Sequence, residues 1–368
     1  METNKIKQLH ELGQSIWLDF LDRNLINSGQ LKKLIEQDGL RGMTSNPAIF
    51  EKAVTGSTAY DTQIRELAAA HQNNEAIFYE LAVTDIQNAA DQFEAIFARE
   101  LDGFVSLEVS PRLANDTNKT IKQAVELWRK LDRENVMIKI PATAEGIPAI
   151  RKTISEGLNI NVTLLFGLER YQQVVDAYLS GLEDRVAAGQ PIDQIASVAS
   201  FFLSRIDVLV DPQLVAKGHA EMKGEVAIAC AKQAYQIYKR IFSSERFLKL
   251  QAMGATPQRV LWASTGTKDP SFSAIKYVEA LIGPETINTV PMETLIAYRD
   301  QGHPASRLEH DMDKVMLTME QLQRIGIDLT QISKQLEDEG IEKFNRPYDQ
   351  LLQVIEEKKA LRIAIPKL

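Results

Sequence analysis

Short apolar runs alternate with longer amphipathic stretches along this chain. Eight runs have the length and apolar or β-branched content of strands: 15–20, 42–46, 103–109, 136–141, 160–165, 195–200, 260–264 and 286–290. Between them lie stretches with helical spacing. In 118–133, Ile121, Val125, Trp128 and Leu131 share one face, and 168–188 shows a similar pattern. Eight strands in alternation with helices predict an α/β fold of the (β/α)8 TIM-barrel type, with a doubly wound sheet as the competitor. The connections 49–101 and 203–258 are too long for one helix each, so additional helices are expected in both. From 298 onward the pattern is helical without a strand. The expectation is a single barrel domain over 1–368, with 299–368 as a C-terminal helical extension packed on it. No repeat, low-complexity stretch or Pro/Gly/Ser linker divides the chain.

Successive strand residues point to opposite faces, so each run can be read as two columns. In 15–20, Ile16, Leu18 and Phe20 oppose Trp17 and Asp19. In 103–109, Val105, Leu107 and Val109 oppose Phe104, Ser106 and Glu108. In 136–141, Val136, Ile138 and Ile140 oppose Met137 and Lys139. In the fifth run, Ile160, Val162 and Leu164 oppose Asn159, Asn161 and Thr163. Four strands thus pair a uniformly apolar face with one whose last member is polar and near the C-terminal end. Polar groups in that position converge on the mouth where barrel enzymes hold their active sites, although a doubly wound sheet also binds ligands at strand C-termini.

Lys139 is the most informative of these residues. Taking an ammonium group out of water is costly unless it is paired or neutralised, and burial favours the free amine, the nucleophile of Schiff-base chemistry. The alternative is a strand-end lysine that reaches solvent. Asp19 and Glu108 are candidate acid–base partners, because imine formation, carbon–carbon cleavage and hydrolysis each move protons. Glu108 precedes Val-Ser-Pro, so it equally suits a helix cap. Thr163 could hold a water with Glu108, or simply favour its strand. Asn46 could bind a substrate hydroxyl or initiate the Ser-Asn-Pro turn, and Ser200 is a similar candidate. Arg205 and the loop from Ser264 to Lys268 suit an anion such as phosphate. That loop lacks the Walker A spacing, which rules out a nucleoside-triphosphate reading.

Composition narrows the partners. The chain has 368 residues, 44% of them hydrophobic and 25% charged, with a net charge of −8. That balance suits a soluble globular protein and argues against general nucleic-acid or membrane-surface binding. No apolar run is long enough for a membrane span, and the N-terminus has no signal-like core. The single cysteine, Cys230, reads as packing and fits a reducing, cytoplasmic compartment. The five histidines lack metal-ligand spacing, and neither a G-x-S-x-G elbow nor a G-x-G-x-x-G after a strand is present. No metal site is expected.

Together these segments resemble transaldolase, in its longer bacterial type. The likeness rests on Trp-Leu-Asp (17–19), Thr-Ser-Asn-Pro (44–47), Val-Ser-Leu-Glu-Val-Ser-Pro-Arg-Leu (105–113), Ile-Lys-Ile-Pro-Ala-Thr followed by Glu-Gly-Ile (138–147), Ile-Asn-Val-Thr-Leu-Leu-Phe (160–166) and Ser-Phe-Phe-Leu-Ser-Arg-Ile-Asp (200–207). The resemblance implies that Lys139 forms the Schiff base with C2 of a ketose phosphate, sedoheptulose 7-phosphate or fructose 6-phosphate. Asp19 would take and return the C4 hydroxyl proton, and Glu108 and Thr163 would hold a proton-shuttling water. Asn46 and Ser200 would bind the dihydroxyacetone hydroxyls, Phe202 would shape the pocket, and Arg205 would bind phosphate. Shorter members carry an arginine soon after the Ala-Ser of the seventh strand. Here that stretch reads Ala-Ser-Thr-Gly-Thr-Lys, so Lys268 becomes the expected second phosphate cation, with Ser264 beside it. The resemblance implies neither an organic cofactor nor a metal, sugar phosphates as partners, and a monomer or homodimer. A lyase of the fructose-6-phosphate or deoxyribose-phosphate aldolase type would use the same lysine, and a barrel kept only for binding is the third reading.

Overall fold

The computed structural model describes residues 4–100 and 102–360. Residues 1–3, Leu101 at the end of the first long connection, and 361–368 at the end of the expected extension lie outside them. Eight parallel strands close into a barrel in chain order: β1 (Gln14–Asp19), β2 (Met43–Thr44), β3 (Val105–Glu108), β4 (Val136–Pro141), β5 (Ile160–Leu165), β6 (Ser197–Phe202), β7 (Arg259–Ala263) and β8 (Thr286–Val290). A helix or helices follow every strand. The doubly wound alternative is therefore excluded, since β8 pairs back onto β1 along five residues from Gln14↔Thr286 to Leu18↔Val290.

The strands differ from the sequence expectation at their ends. β2 has two residues where five were expected, because Asn46 turns the chain into the helix Pro47–Thr55, accepting a hydrogen bond from Ile49 N at 3.1 Å. β6 begins and ends two residues later than expected, which puts Phe202 on the strand itself. The fifth strand keeps its period of two only as far as Thr163. Leu164 has φ of 53°, and the β5–β6 register shifts between Val162 and Leu165, a bulge that bends the strand at its C-terminal end.

Both long connections carry extra helices. The first holds Pro47–Thr55, Asp61–Ala69 and Asn74–Glu100, and the second Ser204–Ala216, Val226–Phe242 and Glu245–Gln251. The helix Thr117–Leu131 buries Thr120, Ala124, Leu127 and Leu131, while Ile121, Val125 and Trp128 are only partly buried at its flank. Its inner face is thus rotated from the expected column, of which only Leu131 is fully buried. The helix Leu329–Ala360 crosses the C-terminal side of the barrel and packs against Pro47–Thr55, Asn74–Glu100 and Ser204–Ala216. Gly340 makes that approach possible. A Cβ there would meet Leu164 Cδ2 at 3.0 Å and lie 3.7 Å from Arg205 Nη1.

Candidate active site

Side-chain hydrogen bonds across the barrel interior, two of them between strands that are not neighbours, fix which faces look inward. Asn161 Nδ2 on β5 donates to Ser106 Oγ on β3 at 3.0 Å, and Ser200 Oγ on β6 donates to Asn161 Oδ1 at 2.7 Å. Thr44 Oγ1 on β2 donates to Asp19 Oδ1 at 2.7 Å and lies 2.7 Å from Thr289 Oγ1 on β8. Paired residues of a parallel ladder share a face, and the pairs Glu108↔Lys139, Lys139↔Asn161 and Pro141↔Thr163 carry the inward register round to the mouth. Asp19, Glu108, Lys139 and Thr163 therefore lie at or near the ends of four strands on one inner surface, as the alternation predicts.

Lys139 does not snorkel. It is 4% exposed, its Nζ donates to the carbonyl oxygen of Ser45 at 2.9 Å, and Glu108 Oε2 stands 3.5 Å away. Nor is Glu108 a helix cap, being a strand residue whose carboxyl faces the amine. Neither of its oxygens has a partner at hydrogen-bond geometry among the described residues. Burial pushes the Glu108 carboxyl up to about 7, against the opposing charges of Lys139 and Arg205 and with Asp19 adding to the rise. Asp19 is partly open to the mouth but packed round by protein. Desolvation raises it too, opposed by Lys139, the Thr44 hydrogen bond, Arg205 and Lys268. Two carboxyls held above their ordinary range beside one amine suit proton transfer near neutral pH. Thr163 is fully buried, and its Oγ1 has no partner among the described residues.

Above this group sits Arg205, in the first turn of the helix Ser204–Ala216. Its guanidinium carbon lies 5.4 Å from the Phe202 ring and 5.8 Å from that of Phe344, on the C-terminal helix, and its buried Nη1 has no hydrogen-bond partner among the described residues. A cation held between two rings with an unused donor is suited to an anionic ligand. Phe202 also packs on Phe166, with ring centres 5.2 Å apart.

The loop after β7 is arranged differently. Ser264, at φ of 55°, places its Oγ 2.8 Å from Ser204 Oγ, so this hydroxyl is tied to the Arg205 helix rather than left open. Thr265 Oγ1 donates to Thr289 O at 3.0 Å. Lys268 is exposed and stands apart from the buried group, although its charge reaches Asp19. Asp269 fixes the loop behind it through Lys223 at 3.1 Å. Asn46 uses its side-chain oxygen as a helix cap, so the turn reading of Ser-Asn-Pro holds. Its Nδ2 has no bond to another described residue.

Several inward residues escape a reading of strand ends. Thr44 and Thr289 orient Asp19, the carbonyl of Ser45 fixes Lys139, and Ser106 and Asn161 hold Ser200. Asn161 shares the column of Thr163, a signal present in the alternation. The carbonyl of Ser45 has no sequence signal at all.

The transaldolase/fructose-6-phosphate aldolase family model matches residues 16–355. The chain is 47% identical to the transaldolase of Saccharopolyspora erythraea over 364 residues, covering 97% of this chain and 99% of that one. It is 47% identical to the transaldolase of Trichodesmium erythraeum over 373 residues (97% and 98%). With the Mycolicibacterium smegmatis transaldolase the identity is 45% over 352 residues, 94% of each chain. A closed eight-stranded barrel, a buried lysine beside a buried carboxyl, and likeness along nearly the whole length agree, and the chain belongs to the transaldolase/fructose-6-phosphate aldolase family.

Proposed function

We propose that this protein is a transaldolase, a transferase that moves a dihydroxyacetone unit from a ketose phosphate to an aldose phosphate through a Schiff base on Lys139. The observation that carries the reading is the setting of that amine, 4% exposed and clasped between the Ser45 carbonyl and the Glu108 carboxylate. The relatives named transaldolase support transfer over release.

Lys139 in its ammonium form hands a proton to Glu108 and adds to the C2 carbonyl of sedoheptulose 7-phosphate or fructose 6-phosphate. Glu108 returns the proton to the carbinolamine oxygen, directly or through a water shared with Thr163, then carries a second proton from the nitrogen to the same oxygen, and water leaves. The iminium then draws electrons from the C3–C4 bond while Asp19 takes the proton of the C4 hydroxyl. The aldose phosphate departs, and the three-carbon enamine remains on Lys139. Glyceraldehyde 3-phosphate or erythrose 4-phosphate enters, the enamine carbon attacks its carbonyl, and Asp19 returns the proton. Water then hydrolyses the new iminium, with Glu108 again moving the protons, to free the product ketose phosphate and Lys139. Enclosure keeps the enamine from stray protonation in the interval. Ser200, oriented by Asn161, and the Nδ2 of Asn46 hold the retained hydroxyls. Phe202 walls the pocket, Arg205 binds phosphate, and Lys268 adds a second cation beside Ser264. Such a transfer is consistent with the non-oxidative pentose phosphate pathway. A cytoplasmic setting is consistent with the single, buried and unbridged Cys230.

The test is to trap the adduct. Incubation with fructose 6-phosphate and borohydride is expected to label Lys139, and turnover is expected to require erythrose 4-phosphate. A label elsewhere overturns the assignment of Lys139. Rapid release of glyceraldehyde 3-phosphate without an acceptor makes the enzyme a lyase.

A further inference from the structure

The barrel wall has a window. β2 pairs with β3 only at Met43↔Val105 and Thr44↔Ser106, and beyond these pairs the two strands part. One bridge spans the gap, from Ser45 Oγ to Ser106 O at 2.8 Å. Beside it lies a cavity bounded by Ser45, Asn46, Glu108, Phe78, Tyr79 and Tyr348, among others. About 10 Å³ of it is open to the centre of a water molecule, the room of about one water.

Much of the cavity wall is apolar (Pro47, Phe50, Leu107, Val109, Pro111), but the polar groups at it, and Ser110 next to it, are underused. Tyr79 is 5% exposed and Ser110 is 1% exposed, and both hydroxyls lie against the Tyr348 oxygen. Yet Tyr79 Oη, Ser110 Oγ and both Glu108 oxygens have no partner at hydrogen-bond geometry among the described residues. The Tyr79 phenol and the Glu108 carboxyl act on each other electrostatically across the window. Tyr348 Oη is spoken for, donating to Glu75 Oε1 at 2.6 Å. Buried polar groups that cluster unpaired round a space of this size are ordinarily completed by an ordered water.

We infer that one water occupies this window, bridging the Tyr79 phenol and the Glu108 carboxyl, and that Tyr79, backed by Tyr348, is a positioning residue for the acid–base cycle of Glu108. This rests on the role proposed above for Glu108. The water is distinct from one shared with Thr163, which would stand on the inner side of the same carboxyl. Its consequence is chemical. A phenol donating through water favours the carboxylate over the acid, which offsets the desolvation of Glu108 from the side that Lys139 does not reach. The titratable groups facing Glu108 are then Lys139 from β4, Asp19 from β1, Arg205 from the helix Ser204–Ala216 and Tyr79 from the helix Asn74–Glu100. Tyr79 belongs to the crossover helix that leads into β3, and Tyr348 to the C-terminal helix that a minimal barrel does not contain, so an added helix helps to complete the active site.

The experiment is a double-mutant cycle on the full-length enzyme, read by cyanoborohydride trapping with fructose 6-phosphate across pH. Tyr79→Phe is expected to slow trapping about tenfold and to move the Glu108 limb upward by about half a pH unit to one unit, with KM changed less than about twofold. In a Glu108→Gln background the same substitution is expected to add nothing. Phe93→Leu, a core change on the same helix, is expected to lower the melting temperature and leave the limb in place. Wild-type trapping and an unmoved limb in Tyr79→Phe overturn the inference. So does a Tyr79→Phe effect that persists in Glu108→Gln, or a limb that Phe93→Leu moves equally. If Glu108→Gln itself traps like wild type, the role of Glu108 fails whatever Tyr79 does. If Glu108→Gln is impaired and Tyr79→Phe is not, only the window water fails.

Discussion

Lys139 and Glu108 are each 4% exposed, and neither would be stable as a lone buried charge. Their 3.5 Å separation, with the Glu108 oxygens not otherwise hydrogen-bonded within the described protein, suits the proposed proton exchange. Burial raises Glu108 from its ordinary range to about 7, so the sign of the pH effect can be worked out. Below that pH the carboxyl keeps its proton and cannot accept one from Lys139. Trapping is therefore expected to rise about tenfold per unit as pH climbs towards 7 and to level off above it. Glu108→Gln should flatten this limb and slow trapping by about 10²–10⁴-fold, measurable as a pH–rate profile. At Arg205 the proposed phosphate contact can be tested apart from the proposed chemistry. Arg205→Lys keeps the charge but loses the planar fork and its place between Phe202 and Phe344. It should raise KM for fructose 6-phosphate at least about tenfold, the loss of a charge-assisted bond of roughly 1.5–3 kcal/mol. Trapping with unphosphorylated fructose should be unchanged.

At the scale of elements, the C-terminal helix Leu329–Ala360 is part of the site. Gly340 lets it sit on Leu164 and Arg205, and Phe344 forms one side of the arginine's cage. Gly340→Val should push the helix outward. The expected outcome is a loss of about 1–3 kcal/mol in denaturant unfolding together with a raised KM for phosphorylated donors. The helix Pro47–Thr55 is bound to the site through its cap. Asn46→Ala should cost about 1 kcal/mol of stability, and its effect on donor affinity separates the two uses of this amide. The existence of both helical insertions was legible in the lengths of the connections. That the C-terminal helices pack on the barrel was expected, but the contacts by which the last one does so were not legible, since they depend on a glycine and a phenylalanine that read from sequence as ordinary helix residues.

Over the whole molecule, the two ends of the barrel do different work. At the N-terminal end, Asp102 is 4% exposed and accepts from Trp17 Nε1 at 2.9 Å and from the Ser15 hydroxyl, with Arg259 Nη1 3.4 Å away. Asp102→Ala leaves Arg259 without its carboxylate and should destabilise the fold by about 3–5 kcal/mol. At a temperature where the variant remains folded, kcat should be unchanged, because this cluster closes the barrel far from Lys139. Thermal unfolding and turnover, measured on one preparation, check both halves of that expectation. The alternation of residue character determined by itself that Asp19, Glu108, Lys139 and Thr163 share a face near their strand ends, since a period of two is a property of the extended backbone. It equally determined a barrel-length series of strands and helices. What only the tertiary structure decided is what those residues meet. The Ser45 carbonyl on Lys139, the rings around Arg205, the bulge at Leu164 and the window behind Glu108 all join positions distant in the chain. Such contacts depend on where strands stop and how closely helices approach, and periodicity carries no record of either.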